Sequence, residues 1–262
     1  MDAADIPAFQ ELQAPAGWRA VDFISDLHLQ AGEPDTFDAW RRYMAATRAD
    51  AVFILGDLFE VWVGDDAARE PGFAAECGAV LRDAAAARPV YFLHGNRDFL
   101  VGTGFLRDCG VTLLQDPVVL TFAGQRWLLT HGDALCLADT GYLAFRDKVR
   151  QPAWQQAFLA QPLAQRQEIA RGLRQESEDH KQATRVYAEV DADAARGWLR
   201  AARAPFMLHG HTHRPAGHDL GDGLRRVVLS DWDATAHPPR LEVLRLTAGG
   251  TRRLGIDACS AG

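Results

Sequence analysis

The sequence predicts an α/β fold in which helices cover a largely parallel β-sheet and a helical insertion interrupts the later part of the chain. In the first half, short apolar runs typical of buried strands alternate with segments of helical period. Several of these runs end in turns that carry Asp, Asn or His. From residue 139 to about residue 200, only helical segments are indicated. Ligands of such a fold are expected beyond the carboxyl ends of the strands.

Five apolar runs predict strands, and each leads into a polar turn. The runs cover residues 20–24, 52–55, 89–93, 127–130 and 206–208. The turns after them have the sequences SDLH, GD, HGNRD, HGD and HGHTH. Glycine in such a turn allows a sharp bend and a close approach of the backbone to a ligand. Core packing does not require charged residues at the same end of every strand, so the repeated pattern indicates a ligand site.

Asp26 and His28 show the chemistry that these turns offer. Their side chains lie two residues apart just past a strand end and can point the same way. A carboxylate oxygen and an imidazole nitrogen then converge, as a first-row metal site requires. Alone, the Asp-x-His pattern is weak, and a helix or turn cap is the alternative. The related motifs at four other strand ends favour metal binding.

Helices and further strands are predicted around these motifs. Residues 36–47 and 73–87 are expected to be helical, and their alternation with strands favours a parallel inner sheet. Residues 226–229 and 240–246 have strand character and are expected to extend a second sheet.

The chain is predicted to consist of a core, an insertion and a tail. The core comprises residues 17–138 and 202–250, and the insertion, a helical lid, comprises residues 139–201. Residues 1–16 carry Ala, Pro and acidic residues without a period and are expected to be a loose tail.

The insertion is predicted to contain four helices, at residues 141–148, 153–159, 163–173 and 184–201. Its large apolar side chains concentrate at Trp154, Phe158, Leu159 and Leu163. Residues 146–185 carry eight Lys/Arg against five Asp/Glu, although the whole chain has a net charge of −7. Two interpretations stay open. One is an ordinary solvated helical pair; the other is a lid with an apolar groove and a basic rim that meets an anionic membrane surface.

The composition argues against several classes of protein. With a net charge of −7, a broad nucleic-acid-binding surface is not expected. The four cysteines, Cys77, Cys109, Cys136 and Cys259, lack C-x-x-C spacing and are expected to be reduced and buried. No signal peptide is visible at the acidic N-terminus, and no run approaches the ~18 apolar residues of a membrane span.

The order of the motifs, D-x-H, G-D, G-N-x-D, H-G-D and G-H-x-H, resembles that of the calcineurin-like metallophosphoesterases. The resemblance implies a four-layer sandwich of two mixed β-sheets flanked by helices, with a two-metal site at the strand ends. The sequences ILGDLFE at residues 54–60, HGNRDFL at 94–100 and HGHTHRP at 209–215 resemble the members that cleave UDP-2,3-diacylglucosamine in lipid A biosynthesis. This closer resemblance runs from about residue 18 to about residue 243.

The resemblance implies two sets of metal ligands that share Asp57. One set comprises Asp26, His28, Asp57 and His213, and the other comprises Asp57, Asn96, His131 and His211. Two cations ~3.5–4 Å apart can clamp the attacked and leaving oxygens of a phosphoryl group. Mixed His and oxygen ligands without Cys suit Mn, Fe, Co or Zn better than Mg or Ca, and the resemblance implies two Mn²⁺ ions.

The resemblance assigns further roles around the metals. The residues that it implies for catalysis are Asp57, Asn96, Arg97 and His131. The residues that it implies for substrate contact are Asn96, Arg97, Asp139, Ser177, Lys181, Thr184 and His211. Thr184 stands where relatives usually have Lys, so Lys181 or Arg185 is an alternative for that phosphate contact.

Three side chains are predicted to support the site without ligating metal. His209 shares a period of two with His211 and His213, but one metal site does not need a third His from one segment. We therefore expect His209 to hydrogen-bond a ligand. Asp98 and Asp133 are expected to orient neighbouring His or Arg side chains.

The predicted reaction is hydrolysis of a pyrophosphate bond. The sequence contains no nucleophile elbow and no Walker loop, so a metal-activated water is the expected nucleophile. The planar fork of Arg97 suits two phosphate oxygens, and a surface salt bridge is its alternative role. The resemblance implies UDP-2,3-diacylglucosamine as substrate, with UMP and 2,3-diacylglucosamine 1-phosphate (lipid X) as products.

We expect a monomer in the cytoplasm that binds peripherally to the cytoplasmic face of the inner membrane, with the lid holding the acyl chains of the substrate. One alternative is another calcineurin-like phosphoesterase, acting on a soluble nucleotide or phosphodiester. A second is a non-catalytic scaffold that binds a partner. An apolar lid has no use for a water-soluble substrate, and an intact ligand set argues against a scaffold.

Overall fold

Two six-stranded β-sheets pack face to face in the computed structural model of the chain. The structure describes the backbone of residues 6–184 and 189–260, and the side chains of residues 6–173 and 189–260.

The first sheet consists of β1 (Gln10–Gln13), β6 (Val118–Phe122), β7 (Gln125–Leu129), β8 (Phe206–His209), β9 (Ala216–Gly221) and β10 (Leu224–Val228). The second sheet consists of β2 (Ala20–Ile24), β3 (Ala51–Leu55), β4 (Val90–Leu93), β5 (Thr112–Leu113), β11 (Glu242–Thr247) and β12 (Gly250–Gly255). The α-helices are α1 (Pro34–Ala46), α2 (Phe73–Ala87), α3 (Thr103–Asp108), α4 (Thr140–Val149), α5 (Pro152–Leu159), α6 (Leu163–Thr184) and α7 (Ala192–Ala202). Short 3₁₀ helices span Asp65–Ala68, Asp133–Leu135 and Ile256–Cys259.

Both sheets are mixed. The second has the order β12-β11-β2-β3-β4-β5, in which β2 to β5 are parallel and β11 is antiparallel to both of its neighbours. The first has the order β1-β6-β7-β8-β10-β9, in which β7, β8 and β10 are parallel. The predicted fold, two mixed sheets flanked by helices, is confirmed. Its parallel strands β2, β3, β4, β7 and β8 lead into the five polar turns.

Buried hydrophobic clusters fill the spaces between four layers. Between the sheets, Phe23 and Phe53 of the second sheet cluster with Leu129 of the first. Trp40 of α1 belongs to the cluster on the outer face of the second sheet, and Trp198 of α7 belongs to the cluster on the outer face of the first. Every residue of β3 is buried, as expected for a central strand that is covered on both faces.

Asp22 on β2 is a fully buried carboxylate with three side-chain partners. It accepts hydrogen bonds from Tyr43 Oη at 3.1 Å and Thr47 Oγ1 at 2.7 Å. Arg245, only 8% exposed, donates from Nε at 2.7 Å and from Nη2 at 3.0 Å. These contacts join β2 to α1 and to β11.

The expectation of a loose tail over residues 1–16 is wrong for residues 10–13. They form β1, which pairs in parallel with β6 at the edge of the first sheet. The QELQ sequence of β1 lacks the apolar run that is typical of a buried strand, because none of its residues is fully buried at this edge of the sheet.

Two boundaries of the predicted insertion also differ. The break expected after Leu173 is absent, since α6 continues to Thr184. The last helix begins at Ala192 rather than at residue 184, and Asp191 caps it by accepting from Ala194 N at 2.8 Å. This helix, α7, packs on the first sheet and therefore belongs to the core layers. The core also extends beyond residue 250 through β12.

Helices α5 and α6 pack on the loop that follows β3. Phe158 is only 5% exposed, and its ring stacks on Trp154 with 5.0 Å between centroids. Arg166, 2% exposed, forms an ion pair with Asp66 and donates a hydrogen bond to the Val63 carbonyl. The insertion is thus docked on the core, which argues against a solvated helical pair.

Several basic residues of the insertion point inward. Arg146 pairs with Asp133 at 2.8 Å, and Arg150 donates to the Gly95 carbonyl at 2.8 Å. With Arg166, these account for three of the eight basic residues that suggested a basic rim. In the described part of the insertion, fewer basic side chains are therefore available for an exposed basic rim than the charge count indicates.

The four cysteines are free and buried, as expected. Among the described residues, every helix is too short or too polar to cross a bilayer.

We predict that Asp22→Ala destabilises the fold strongly, because it leaves Arg245 buried without its carboxylate. Breaking a buried pair in this way costs roughly 3–5 kcal/mol. Urea denaturation measures the change. The control is Asp38→Ala, which removes an exposed carboxylate that pairs with Arg41 and Arg42 and should change stability little. Equal effects of the two variants would contradict the structural role of Asp22.

Candidate metal centre

The polar turns meet at one end of the sandwich. In the second sheet, Asp26 N donates to the Gly56 carbonyl at 3.1 Å, and His28 N donates to the Asp57 carbonyl at 3.0 Å. In the first sheet, Gly210 N donates to the His131 carbonyl at 3.0 Å. Parallel strands bring their carboxyl ends to the same edge, and the packing of the two sheets brings the two edges together.

Left-handed backbone conformations are concentrated in these turns. Eight non-glycine residues in the described part of the chain have positive φ, and five of them are sequence-predicted ligands. Their φ values are 56° at Asp26, 49° at His28, 52° at Asp57, 67° at His211 and 52° at His213. Such conformations cost free energy and persist where the surrounding structure imposes them, often at functional sites.

Asp26, His28 and His213 form one group of converging donor atoms. The two imidazole Nε2 atoms lie 3.2 Å apart, and His213 Nε2 lies 3.3 Å from Asp26 Oδ1. One atom from each side chain, all within 4.8 Å of one another, is available to a metal ion. Asp26 is held by Ser25 Oγ at 2.6 Å and by His211 N at 3.0 Å.

Asp57, Asn96, His131 and His211 form a second group. His131 Nε2 lies 2.9 Å from Asn96 Oδ1 and 3.6 Å from Asp57 Oδ2. His211 Nδ1 lies 2.9 Å from the same Asn96 oxygen. Asp57 Oδ2 is also 4.0 Å from His28 Nε2, so the Asp57 carboxylate lies between the two groups. The structure therefore brings all seven predicted ligands together.

The donor set fits divalent metal ions. Its atoms are carboxylate and amide oxygens and imidazole nitrogens, which suit first-row metals. The Leu55 carbonyl can only accept, so His131 donates to it from Nδ1 at 2.9 Å. This leaves His131 Nε2 facing Asp57 and Asn96. A hydrogen bond that fixes the tautomer of a ligand His is the usual support at metal sites.

The electrostatics of the site are dominated by buried carboxylates. Burial acts to raise the pKa of the Asp26 carboxyl, but neighbouring imidazoles led by His213 together outweigh it and hold that pKa well below its usual range. Burial acts to lower the pKa of His131, but carboxylates led by Asp57 raise it to about 9. Burial and the neighbouring His131 lower the pKa of His211 to about 4. The carboxylates favour cations, and a metal ion on His131 must displace a proton.

Glycines allow two of these turns to touch. A Cβ at Gly95 would overlap the Asp57 carboxylate. A Cβ at Gly56, whose φ is +87°, would lie 2.7 Å from Gly95 Cα. The turns after β3 and β4 can therefore approach closely only because neither carries a side chain here.

The predicted supporting residues have different partners. The expectation that His209 hydrogen-bonds a ligand is wrong, because its two ring nitrogens contact the Gly210 carbonyl at 2.8 Å and Arg226 Nη1 at 3.1 Å. Asp133 accepts from Tyr142 Oη at 2.5 Å and from Arg146, and so joins the site to α4.

Asp98 differs from the expectation that it orients a His or Arg side chain. Its two oxygens accept backbone N–H groups, from Gly95 at 2.8 Å and from Leu58 at 2.8 Å. This buried carboxylate thus clamps the turns after β3 and β4. Burial, with Asp57 nearby, raises the pKa of Asp98 to about 7.

Arg97 lies at the edge of the ligand groups. Its backbone N–H donates to Asp57 Oδ1 at 2.8 Å, and its guanidinium lies 3.5 Å from the carboxylate of Glu60. Glu60 is only 7% exposed, so the pair is not a surface salt bridge. Glu60 also contacts His28 Nδ1 at 2.9 Å. Sequence reasoning missed a role for Glu60, although this residue ends the ILGDLFE segment.

The remaining predicted substrate contacts lie on the insertion. Asp139 caps α4 by accepting from Tyr142 N at 3.0 Å. Ser177, Lys181 and Thr184 lie on α6, but their side chains are outside the described part of the chain. Arg185 lies outside the described residues.

The profile of the family "Calcineurin-like phosphoesterase" matches residues 20–215. The chain therefore belongs to the calcineurin-like phosphoesterases, a family of hydrolases.

Individual proteins that are similar to this chain indicate its group within the family. A protein of Chromobacterium violaceum named UDP-2,3-diacylglucosamine hydrolase is 48% identical over 246 residues, which cover 90% of this chain and 99% of that protein. Proteins of the same name from Stenotrophomonas maltophilia and Escherichia coli O81 are each 43% identical. These cover 87% and 80% of this chain, and 95% and 90% of the relatives. Within the phosphoesterases, the chain groups with the UDP-2,3-diacylglucosamine hydrolases.

We predict that Gly95→Ala displaces the Asp57 carboxylate and lowers both the melting temperature and the amount of Mn²⁺ bound at saturation. Calorimetry and a thermal melt measure the two effects. The control is Gly172→Ala on α6, where a Cβ would meet nothing within 4 Å. A Gly95→Ala protein with native metal content would show that the close approach of these turns is dispensable.

Proposed function

We infer that this protein hydrolyses the pyrophosphate bond of UDP-2,3-diacylglucosamine to give UMP and 2,3-diacylglucosamine 1-phosphate. The observation that carries this inference is the convergence of carboxylate, amide and imidazole donors at one end of the sheets, with Asp57 between two groups. The named relatives supply the substrate.

We propose that two Mn²⁺ ions bind there, one to Asp26, His28, Asp57 and His213 and the other to Asp57, Asn96, His131 and His211. When bound, such ions supply Lewis acidity, which polarises a phosphoryl group and makes water more acidic. The protein supplies the fixed donor geometry. His131 is held by the Leu55 carbonyl, and the Nδ1 atom of His28 lies against the Glu60 carboxylate, so both rings would present their Nε2 atoms to a bound ion.

Arg97 is proposed to bind the non-bridging oxygens of the attacked phosphate. Its guanidinium is 18% exposed and so remains accessible to substrate beside the ligand groups. The planar fork offers two parallel N–H donors to a phosphate, and it neutralises the charge that builds up on phosphate oxygens in the transition state. Asn96 and His211 are proposed as further contacts to the same phosphate.

The insertion is proposed to hold the acyl chains and to bring the protein to the inner membrane. Tyr142 of α4 donates to Asp133, and its ring lies 6.0 Å from that of His211, so the insertion begins beside the site. Among the described side chains, the large hydrophobic residues that remain exposed are Val61 at 47%, Leu137 at 39% and Leu159 at 41%. Val61 directly follows Glu60 in the chain, and Leu159 lies on α5 of the insertion, so these exposed apolar side chains support the proposed contact with acyl chains and with the membrane. Phe158 instead packs inward. We propose a monomer.

The function is tested with a substrate panel in the presence of Mn²⁺. The panel contains UDP-2,3-diacylglucosamine, bis-p-nitrophenyl phosphate and a cyclic nucleotide. We expect efficient turnover of the UDP-sugar lipid, with UMP as a product, and weak turnover of the others. Preference for either soluble compound would favour a different phosphoesterase activity, and no turnover of any compound would favour a scaffold.

We predict that Arg97→Lys lowers turnover by roughly 100- to 1,000-fold, because a point charge cannot replace the two-pronged donor. Steady-state kinetics with the lipid substrate measure this. The control is Arg126→Lys, where a guanidinium pairs with Glu11 at the edge of the first sheet. Unchanged turnover in the Arg97 variant would assign this residue a structural role only.

We predict that Leu159→Asp raises the KM for UDP-2,3-diacylglucosamine and leaves hydrolysis of bis-p-nitrophenyl phosphate unchanged. Each acyl methylene that loses burial costs ~0.8 kcal/mol, so a few amount to roughly tenfold or more in affinity. Gln156→Asp on the same helix adds the same charge at an exposed polar position and serves as the control. Equal losses on both substrates, with a normal melting temperature, would exclude an acyl-binding role.

A further inference from the structure

Glu60 is a buried carboxylate that contacts two functional side chains at once. Its Oε2 lies 2.9 Å from His28 Nδ1, and its Oε1 lies 3.5 Å from Arg97 Nη1. His28 follows β2 and Arg97 follows β4, whereas Glu60 follows the strand between them, β3. One side chain therefore links the proposed metal ligand to the proposed phosphate-binding residue.

The contact with His28 determines which ring nitrogen faces the site. At 2.9 Å the negative charge of the carboxylate favours a proton on Nδ1 of His28, and so favours the tautomer with its free lone pair on Nε2. His28 Nε2 is the atom that lies 3.2 Å from His213 Nε2 and 4.0 Å from Asp57 Oδ2. Glu60 thus favours the tautomer of His28 that a metal ion needs.

The backbone fixes Glu60 between its two partners. Glu60 N donates to the Leu29 carbonyl at 3.2 Å, and Trp62 N donates to the Arg97 carbonyl at 3.3 Å. Further along the loop, the Val63 carbonyl accepts from the buried Arg166 of α6. The loop that carries Glu60 is therefore tied to both neighbouring turns and to the insertion, and its carboxylate has little freedom to move.

We propose that Glu60 is a positioning residue that couples the metal site at Asp26, His28 and His213 to phosphate binding by Arg97. Its two oxygens orient the imidazole and the guanidinium in one fixed relation. Loss of this carboxylate weakens metal binding at that site and substrate binding together. The substrate half of this proposal rests on the proposed function, whereas the metal half does not.

Glu60→Gln removes the charge of the side chain and changes its hydrogen-bonding capacity, but nearly keeps its volume. Both partners carry N–H groups, and the negative charge of the carboxylate attracts both of them. A Gln side chain has nearly the same size but presents one acceptor oxygen and one NH₂ group. Either His28 or Arg97 therefore faces another donor in this variant. Glu11→Gln is the matched control, because Glu11 also pairs with an arginine, Arg126, at the edge of the first sheet.

Calorimetric titration of the metal-free proteins with Mn²⁺ tests the metal half without any substrate. We expect one of two binding steps to weaken by roughly 10- to 100-fold in Glu60→Gln, as for other residues that orient metal ligands. The second step, and both steps in Glu11→Gln, should stay as in the native protein. Unchanged Mn²⁺ affinity in Glu60→Gln overturns the proposal. A lower melting temperature with unchanged Mn²⁺ affinity also overturns it, because that result would show a purely structural role.

Kinetics at saturating Mn²⁺ test the coupling to Arg97. We expect Glu60→Gln to raise the KM for UDP-2,3-diacylglucosamine, and to raise it less when Arg97 is already Lys, because residues that share one contact are not additive. Additive effects of the two substitutions on KM overturn the coupling. If the native protein does not hydrolyse this substrate at all, the proposed function fails, and the Mn²⁺ titration still decides the role of Glu60 at the metal site.

Discussion

The burial of Asp26 and Asp57 among imidazoles is the interaction on which the rest of the site depends. The two residues are 0% and 2% exposed, and a buried charge is costly unless it is compensated. Each receives a backbone N–H from a different turn, from His211 for Asp26 and from Arg97 for Asp57. The turns can donate in this way only when the strand ends of both sheets are in place. Folding therefore assembles the anionic centre, and cations complete its charge balance.

The need to bring these carboxylates and imidazoles together also explains the backbone conformation of the turns. A ligand in a left-handed conformation is unfavourable locally, and five predicted ligands adopt one. The packed strands before the turns, such as the fully buried β3, hold the chain in these conformations. The strain is located where the side chains must point out of the sheet edge toward a shared point. The insertion adds a second layer of restraint, since Arg150 donates to the Gly95 carbonyl and Arg146 pairs with Asp133.

The sequence was sufficient to predict the fold class and the meeting of the five polar turns, because each motif follows a strongly apolar run and so belongs to a strand end. It could not reveal β1, whose QELQ sequence has no apolar period. It also could not show that α6 runs past Leu173, because residues 174–182 contain no apolar residue from which a helical period could be read.

The long-range contacts of polar side chains were the hardest to predict. Asp98 was expected to orient a neighbouring His or Arg side chain, but it accepts a hydrogen bond from a backbone N–H group forty residues earlier in the chain. Glu60 has no sequence signal of its own, because its two partners lie on turns that only the sheet brings together. Such contacts depend on the register and order of β2, β3 and β4, which a single sequence does not specify.

We propose above all that the turns form a dinuclear metal centre that shares Asp57. Anomalous diffraction from crystals grown with Mn²⁺ tests this most directly. We expect two peaks on either side of the Asp57 carboxylate, one beside His28 and His213 and the other beside Asn96, His131 and His211. A single peak, or two peaks that do not share Asp57, would contradict it.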